Sequence, residues 1–132
     1  MLEYISHVAL IVDDYDIAIQ YYTQVLKFNL IEDTYLNESK RWVLVRPKGG
    51  GCSILLAKAK NEVERMAIGN QSGGRVFLFL ATDNFKDSYE NLLINNVKII
   101  REPNKEDYGM VAVFQDIYGN LWDLIEYIKN PD

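Results

Sequence analysis

The order of apolar runs in the first half of the chain returns in the second half, and any fold for this sequence must accommodate that repetition. Residues 5–12, ISHVALIV, are β-branched and aliphatic, as a strand covered on both faces should be. Asp13 and Asp14 then offer an N-cap to DIAIQYYTQVL. There Ile17, Tyr21 and Val25, and also Ala18, Tyr22 and Leu26, recur at i, i+4 on adjoining stripes of an amphipathic helix. FNLIEDTYL and RWVLVRP follow as two strands separated by NESK. Lys48–Gly51 makes a turn, since glycine accepts positive φ freely, and CSILLAK is a further strand. The first half therefore reads β-α-β-β-β.

The second half repeats this order. Residues 75–82, RVFLFLAT, form a strand, and Asp83 can cap a helix running to about Ile94 with Phe85, Tyr89, Leu92 and Leu93 on its apolar side. VKIIREP, MVAVFQD and NLWDLIEYI are three more strands, the last reached through the turn IYGN. At an offset of 70 residues His7 meets Phe77, Asp13 meets Asp83 and Tyr15 meets Phe85. Beyond the helix the offset becomes 69, and Gly51–Leu55 matches Gly119–Asp123 at 68. Identities are few, but elements and punctuation keep the same order, as in a structural repeat. The expected organisation is one domain over residues 1–132, with modules at about 1–58 and 74–128. A short charged helix and a polar glycine-containing loop, residues 59–73, join them.

Length and charge narrow the function. A chain of 132 residues suits one domain, and a net charge of −5 argues against a nucleic-acid or anionic-membrane partner. The single Cys52 cannot close an intrachain disulfide and reads as a small buried hydrophobe. MLEYISHVALIV carries Glu3, lacks a basic n-region and is followed by Asp13 and Asp14, so neither a signal peptide nor a spanning helix fits; the expected location is the cytoplasm.

Three stretches carry a resemblance: His7–Asp14 (HVALIVDD), Ala18–Phe28 (AIQYYTQVLKF) and Asp116–Asp123 (DIYGNLWD). With the repeated βαβββ order, they make the chain similar to the vicinal oxygen chelate superfamily of glyoxalase I, bleomycin-resistance proteins and extradiol dioxygenases. The resemblance implies an α+β fold in which two tandem βαβββ modules form curved mixed sheets, eight strands in all, around a cup-shaped cavity. It also implies a homodimer, whether the modules pair within a chain or swap across the dimer. Such families usually carry glycine where Lys27 stands. Lys27 and its counterpart Asn96 must then end their helices without glycine's freedom, which Asn does more easily than Lys.

The resemblance places metal ligands on the first and last strands of each module, which here are His7, Leu55, Phe77 and Asp123. Two of the four are hydrocarbons, and one His plus one carboxylate falls short of the three ligands a catalytic divalent site needs. Glu126 does not restore the count, because alternation points it away from the Asp123 face. No cofactor is expected. Should a divalent ion (Ni, Zn, Fe or Mn) bind, His7 and Asp123 would hold it, with Glu32, Asp33 or Glu102 as possible further ligands. Without metal, a His7–Asp123 pair could still serve as a general base, since a carboxylate fixes imidazole's tautomer and raises its basicity.

Strand parity defines the expected pocket. With His7 inward, Ile5, Ala9 and Ile11 face inward too, joined by Ser53, Leu55 and Ala57, and by Arg75, Phe77 and Phe79. Such a surface, apolar with a few polar groups, suits a small molecule. Arg75 could meet a ligand anion at the rim, or simply pair with a surface carboxylate. One of Arg41 and Trp42 must face the cavity. Trp122, of opposite parity to Asp123, should pack under a helix. Residues 101–110 read as a charged hairpin loop in which Tyr108 could act as a lid. GNQSGG lacks the spacing of a phosphate loop. Two functions stay open: a metal-independent binder of an apolar or aromatic molecule, or a metal-dependent glyoxalase-like lyase, isomerase or ring-cleaving dioxygenase with non-standard ligands.

Overall fold

The computed structural model describes residues 1–129. The chain divides into two compact units between Ile68 and Gly69. The first contains β1 (His7–Val12), α1 (Tyr15–Gln20) running on into a π-helical turn (Tyr21–Val25), β2 (Asn29–Asn37), β3 (Lys40–Arg46), β4 (Ser53–Lys58) and α2 (Glu62–Ala67). The second contains β5 (Leu78–Ala81), α3 (Phe85–Ile94), β6 (Lys98–Glu106), β7 (Gly109–Gln115) and β8 (Leu121–Tyr127). The strands form two four-stranded mixed sheets, ordered β1-β4-β3-β2 and β5-β8-β7-β6. In each the first strand pairs in parallel with the last, and the other pairings are antiparallel. The chain is α+β, built from two tandem βαβββ modules.

The repeat is visible atom by atom. Asp14 Oδ1 accepts the backbone N–H of Ile17 at 2.9 Å, and Asn84 Oδ1 accepts that of Asp87 at 3.1 Å. Asn84, not the expected Asp83, is therefore the second cap; its side chain sits one residue closer to the first helical turn. Both helices end in the same way. Phe28 N–H donates to Tyr22 O and Val97 N–H to Leu92 O, each at 2.9 Å, which puts Lys27 at φ 63° and Asn96 at φ 56°. The glycine-poor helix ends anticipated from sequence are thus real left-handed positions.

Each sheet buries one face beneath its helix. Leu10, Val12, Val43, Val45 and Leu56 are fully buried in the first unit, where α1 packs on β3 and β4. Tyr21 and Tyr22 are both buried, with rings stacked 5.2 Å apart. In the second unit Ala112, Phe114, Trp122 and Leu124 are buried along with Phe85 and Leu92 of α3. Three boundaries differ from expectation. β1 starts at His7, so Ile5 lies ahead of the strand and is exposed. β5 starts at Leu78, after Arg75, and β6 continues to Glu106, so the supposed loop at 101–110 is mostly strand with its turn at Asp107–Tyr108. Long cross-strand pairing to β7 outweighs the polar, turn-like composition of REPNKE.

Holding lysine in the left-handed region costs about 1 kcal/mol. Lys27→Gly should raise unfolding stability by roughly that amount, and Asn96→Gly by less, as urea denaturation can measure.

Candidate functional site

The site begins with the sheet faces that the helices leave uncovered. Direct pairing places Ala9 opposite Leu55 and Leu55 opposite Leu44, with Leu44 opposite Glu32. One such row therefore crosses the first sheet from edge to edge. The equivalent row in the second sheet is Phe79, Asp123, Val113 and Arg101. Leu55 and Asp123 thus occupy the same place in the two modules. By alternation His7 joins the first face, and Phe77, whose N–H bonds Leu121 O at 2.8 Å, joins the second.

Trp42 shares the face of Leu44, and its ring meets His7 edge-on with centroids 5.5 Å apart. His7 Nδ1 also lies 3.1 Å from Ser6 Oγ. Arg41 has the opposite parity, which corrects its assignment as a ligand-binding residue of the pocket. Its guanidinium bonds Asp33 at 2.7 Å and Asp16 at 2.9 Å, and lies over the Tyr15 ring of α1. Those hydrogen bonds, Asp33 first, raise its pKa above the ordinary arginine value and keep it charged. Arg41 lines a polar hollow of about 180 Å³ together with Tyr35, Glu38 and Lys58. Asp33 is committed to this cluster, whereas Glu32 lies on the His7 face and accepts from Thr34 Oγ1 at 2.8 Å.

The remaining predicted residues divide similarly. Phe79 faces away from the helix and is 67% exposed. Arg75 lies ahead of β5 and is exposed, so it does not project from that strand; the glycines before it prolong the turn. Tyr108 forms the tip of the β6–β7 hairpin, and its carbonyl accepts Ile128 N–H at 2.9 Å. Glu126 points to the helix side, where its carboxylate accepts Phe85 N–H at 2.7 Å.

Asp123 is held in place by a neighbour whose role the sequence did not reveal. Buried Asp116 accepts Tyr118 N–H and Asn120 N–H on Oδ1, at 2.9 and 3.0 Å. Its Oδ2 accepts Asn120 Nδ2 at 3.0 Å and Trp122 Nε1 at 2.9 Å. Trp122 is thereby locked on the helix side, stacked against Phe114, and the next residue must face the other way. Asp123 Oδ1 is buried there, and no donor reaches it among the described residues. Burial pushes the Asp123 pKa up, partly offset by the positive charge of Arg101.

A divalent metal does not fit this donor set. Each module supplies one donor and one hydrocarbon at the positions implied by resemblance: His7 with Leu55, and Asp123 with Phe77. Among the described residues no group of three or more His, Cys, Asp or Glu side chains is placed to hold a metal ion. No helix among them is long and apolar enough to cross a membrane.

Paired βαβββ modules, each with one helix-covered and one helix-free sheet face, define the glyoxalase fold. The chain belongs to the Glyoxalase/Bleomycin resistance protein/Dioxygenase superfamily, whose sequence profile matches residues 4–124. It is 54% identical over 128 residues to an uncharacterized protein of Shewanella frigidimarina (strain NCIMB 400), covering 96% of this chain and 95% of that one. The crystal structure of UcmS2 superposes with a TM-score of 0.82 at 31% identity, over 95% of this chain and 98% of the other. TnmS3, an antibiotic binding protein from Streptomyces sp. CB03234, gives 0.77 at 23% identity, over 96% and 98%.

Two substitutions test this geometry. Asp116→Ala should cost about 3 kcal/mol or more in denaturant unfolding, since it strands buried donors including the indole N–H. For Asp123 the sign follows from its raised pKa. Below the ordinary carboxylate range both folded and unfolded forms are protonated. As pH rises the unfolded chain loses its proton first, so the folded state loses stability up to the raised pKa. Asp123→Asn should therefore stabilise the protein relative to the parent more at pH 7 than at about pH 3.5.

Proposed function

We propose that this protein is a metal-independent binder of an apolar or aromatic small molecule, held against the helix-free faces of its sheets. The observation that carries the reading is the pair Leu55 and Phe77, hydrocarbons standing where the resemblance calls for metal ligands. On the first sheet Ala9, Leu44 and Trp42 supply apolar and aromatic side chains beside His7, and on the second Phe79 does so beside Asp123. That mixture suits recognition of a flat apolar body. The description of TnmS3 as an antibiotic binding protein supports the same direction. The proposal extends to a homodimer acting in the cytoplasm, for which light scattering at micromolar concentration should give twice the chain mass.

The alternative reading is a metal-dependent lyase or dioxygenase. Glu32 shares the His7 face but stands three strands away across the sheet, and Asp33 is held by Arg41 on the other side. Metal titration separates the two. A divalent ion on two protein ligands keeps most of its water and binds weakly. Calorimetry with Ni²⁺, Zn²⁺, Fe²⁺ or Mn²⁺ should show no tight stoichiometric site. One equivalent bound with sub-micromolar affinity and abolished by His7→Ala would overturn the proposal in favour of the enzyme.

A further inference from the structure

The row Phe79, Asp123, Val113 and Arg101 crosses the whole helix-free face of the second sheet, from β5 to β6. Its members are an exposed aromatic ring, a carboxylate, an aliphatic wall and a guanidinium. From this row and the unpartnered Asp123 Oδ1 we infer that the second sheet selects aromatic molecules carrying a hydrogen-bond donor, an O–H or N–H, which docks on that oxygen. The inference rests on the small-molecule reading above and adds a chemical class to it.

Three features support it. Asp123 Oδ1 is buried and receives no hydrogen bond among the described residues, although buried polar atoms normally find partners. The atom cannot turn to the helix side for one, because Trp122 is fixed there by Asp116 and Phe114. On either side of it, at one strand spacing each, stand the buried Val113 and the exposed Phe79, whose ring would stack on a flat body whose donor meets the carboxylate. Asp123 and Arg101 are two strand spacings apart, about 10 Å, so two fused rings would bridge them. The matching place in the first sheet holds Leu55, which has no acceptor.

The probes are 2-naphthol and 2-methoxynaphthalene, which share a ring system and differ in the O–H donor. Each is titrated into the ¹⁵N-labelled full chain, following the backbone amides of Phe79, Val113 and Asp123. In the parent, 2-naphthol should bind about tenfold more tightly, as expected for one charge-assisted hydrogen bond. Asp123→Leu should bring the ratio to about one. Asp123→Asn, which keeps a carbonyl acceptor in the same place, should retain part of the preference and guards against misfolding of the leucine variant. Equal binding of both probes to the parent, or a preference that survives Asp123→Leu, would refute donor selection and leave the binding role intact. If neither probe moves these amides, the binding role fails and this inference fails with it.

Discussion

The second module depends on the carboxylate of Asp116. It gathers the N–H groups of Tyr118 and Asn120, the Asn120 amide and the Trp122 indole into one buried cluster. These bonds close the turn between β7 and β8 together with two backbone bonds, Asp116 N–H to Asn120 O and Gly119 N–H to Asp116 O, each at 3.0 Å. The turn also receives the start of the second unit. A side chain at Gly69 would collide with the carbonyl of Tyr118, so only glycine lets the two backbones approach this closely. Since the side-chain period of a strand is two, locking Trp122 inward forces Asp123 outward. One buried acid thus determines where the second, functionally interesting acid points.

The two modules solve the same structural problem with different chemistry. Rows in register place Leu55 where Asp123 stands and Ala9 where Phe79 stands, while Glu32 occupies the place of Arg101. The two modules share the backbone, side-chain caps at Asp14 and Asn84 and left-handed helix ends, and differ on their helix-free faces. Neither face carries by itself the donors a metal requires. What both carry is apolar side chains: Leu44, Leu55 and Trp42 on one, the exposed Phe79 with the buried Val113 and Ile125 on the other.

Much of this was legible in the sequence because the constraints involved are local and periodic. Alternation put Ala9, Leu55 and Phe79 on the helix-free faces, Trp122 under the helix and Glu126 on the helix side. Lys27 was identified as a helix end through the resemblance, which calls for glycine there, and Asn96 as its counterpart through the repeat. The failures share a cause in long-range pairing. Nothing local distinguishes Arg41 from Trp42; the carboxylates of Asp16 and Asp33, 25 and eight residues away, decide the matter. Residues 101–106 have a loop's composition and become strand through β7. Asp116 resembles an ordinary turn aspartate until Trp122 is seen bonded to it, six residues on.

The central claim is that aromatic ligands meet the helix-free faces, and the two tryptophans report on it from opposite sides of their sheets. Trp42 lies on the helix-free face beside His7, while Trp122 is 2% exposed on the covered one. Fluorine NMR of the 5-fluorotryptophan-labelled protein gives one signal for each, assigned with Trp42→Phe. On titration with 1-anilinonaphthalene-8-sulfonate, the Trp42 signal should shift saturably while the Trp122 signal stays in place. A saturable shift of Trp122 with Trp42 unmoved would contradict the account.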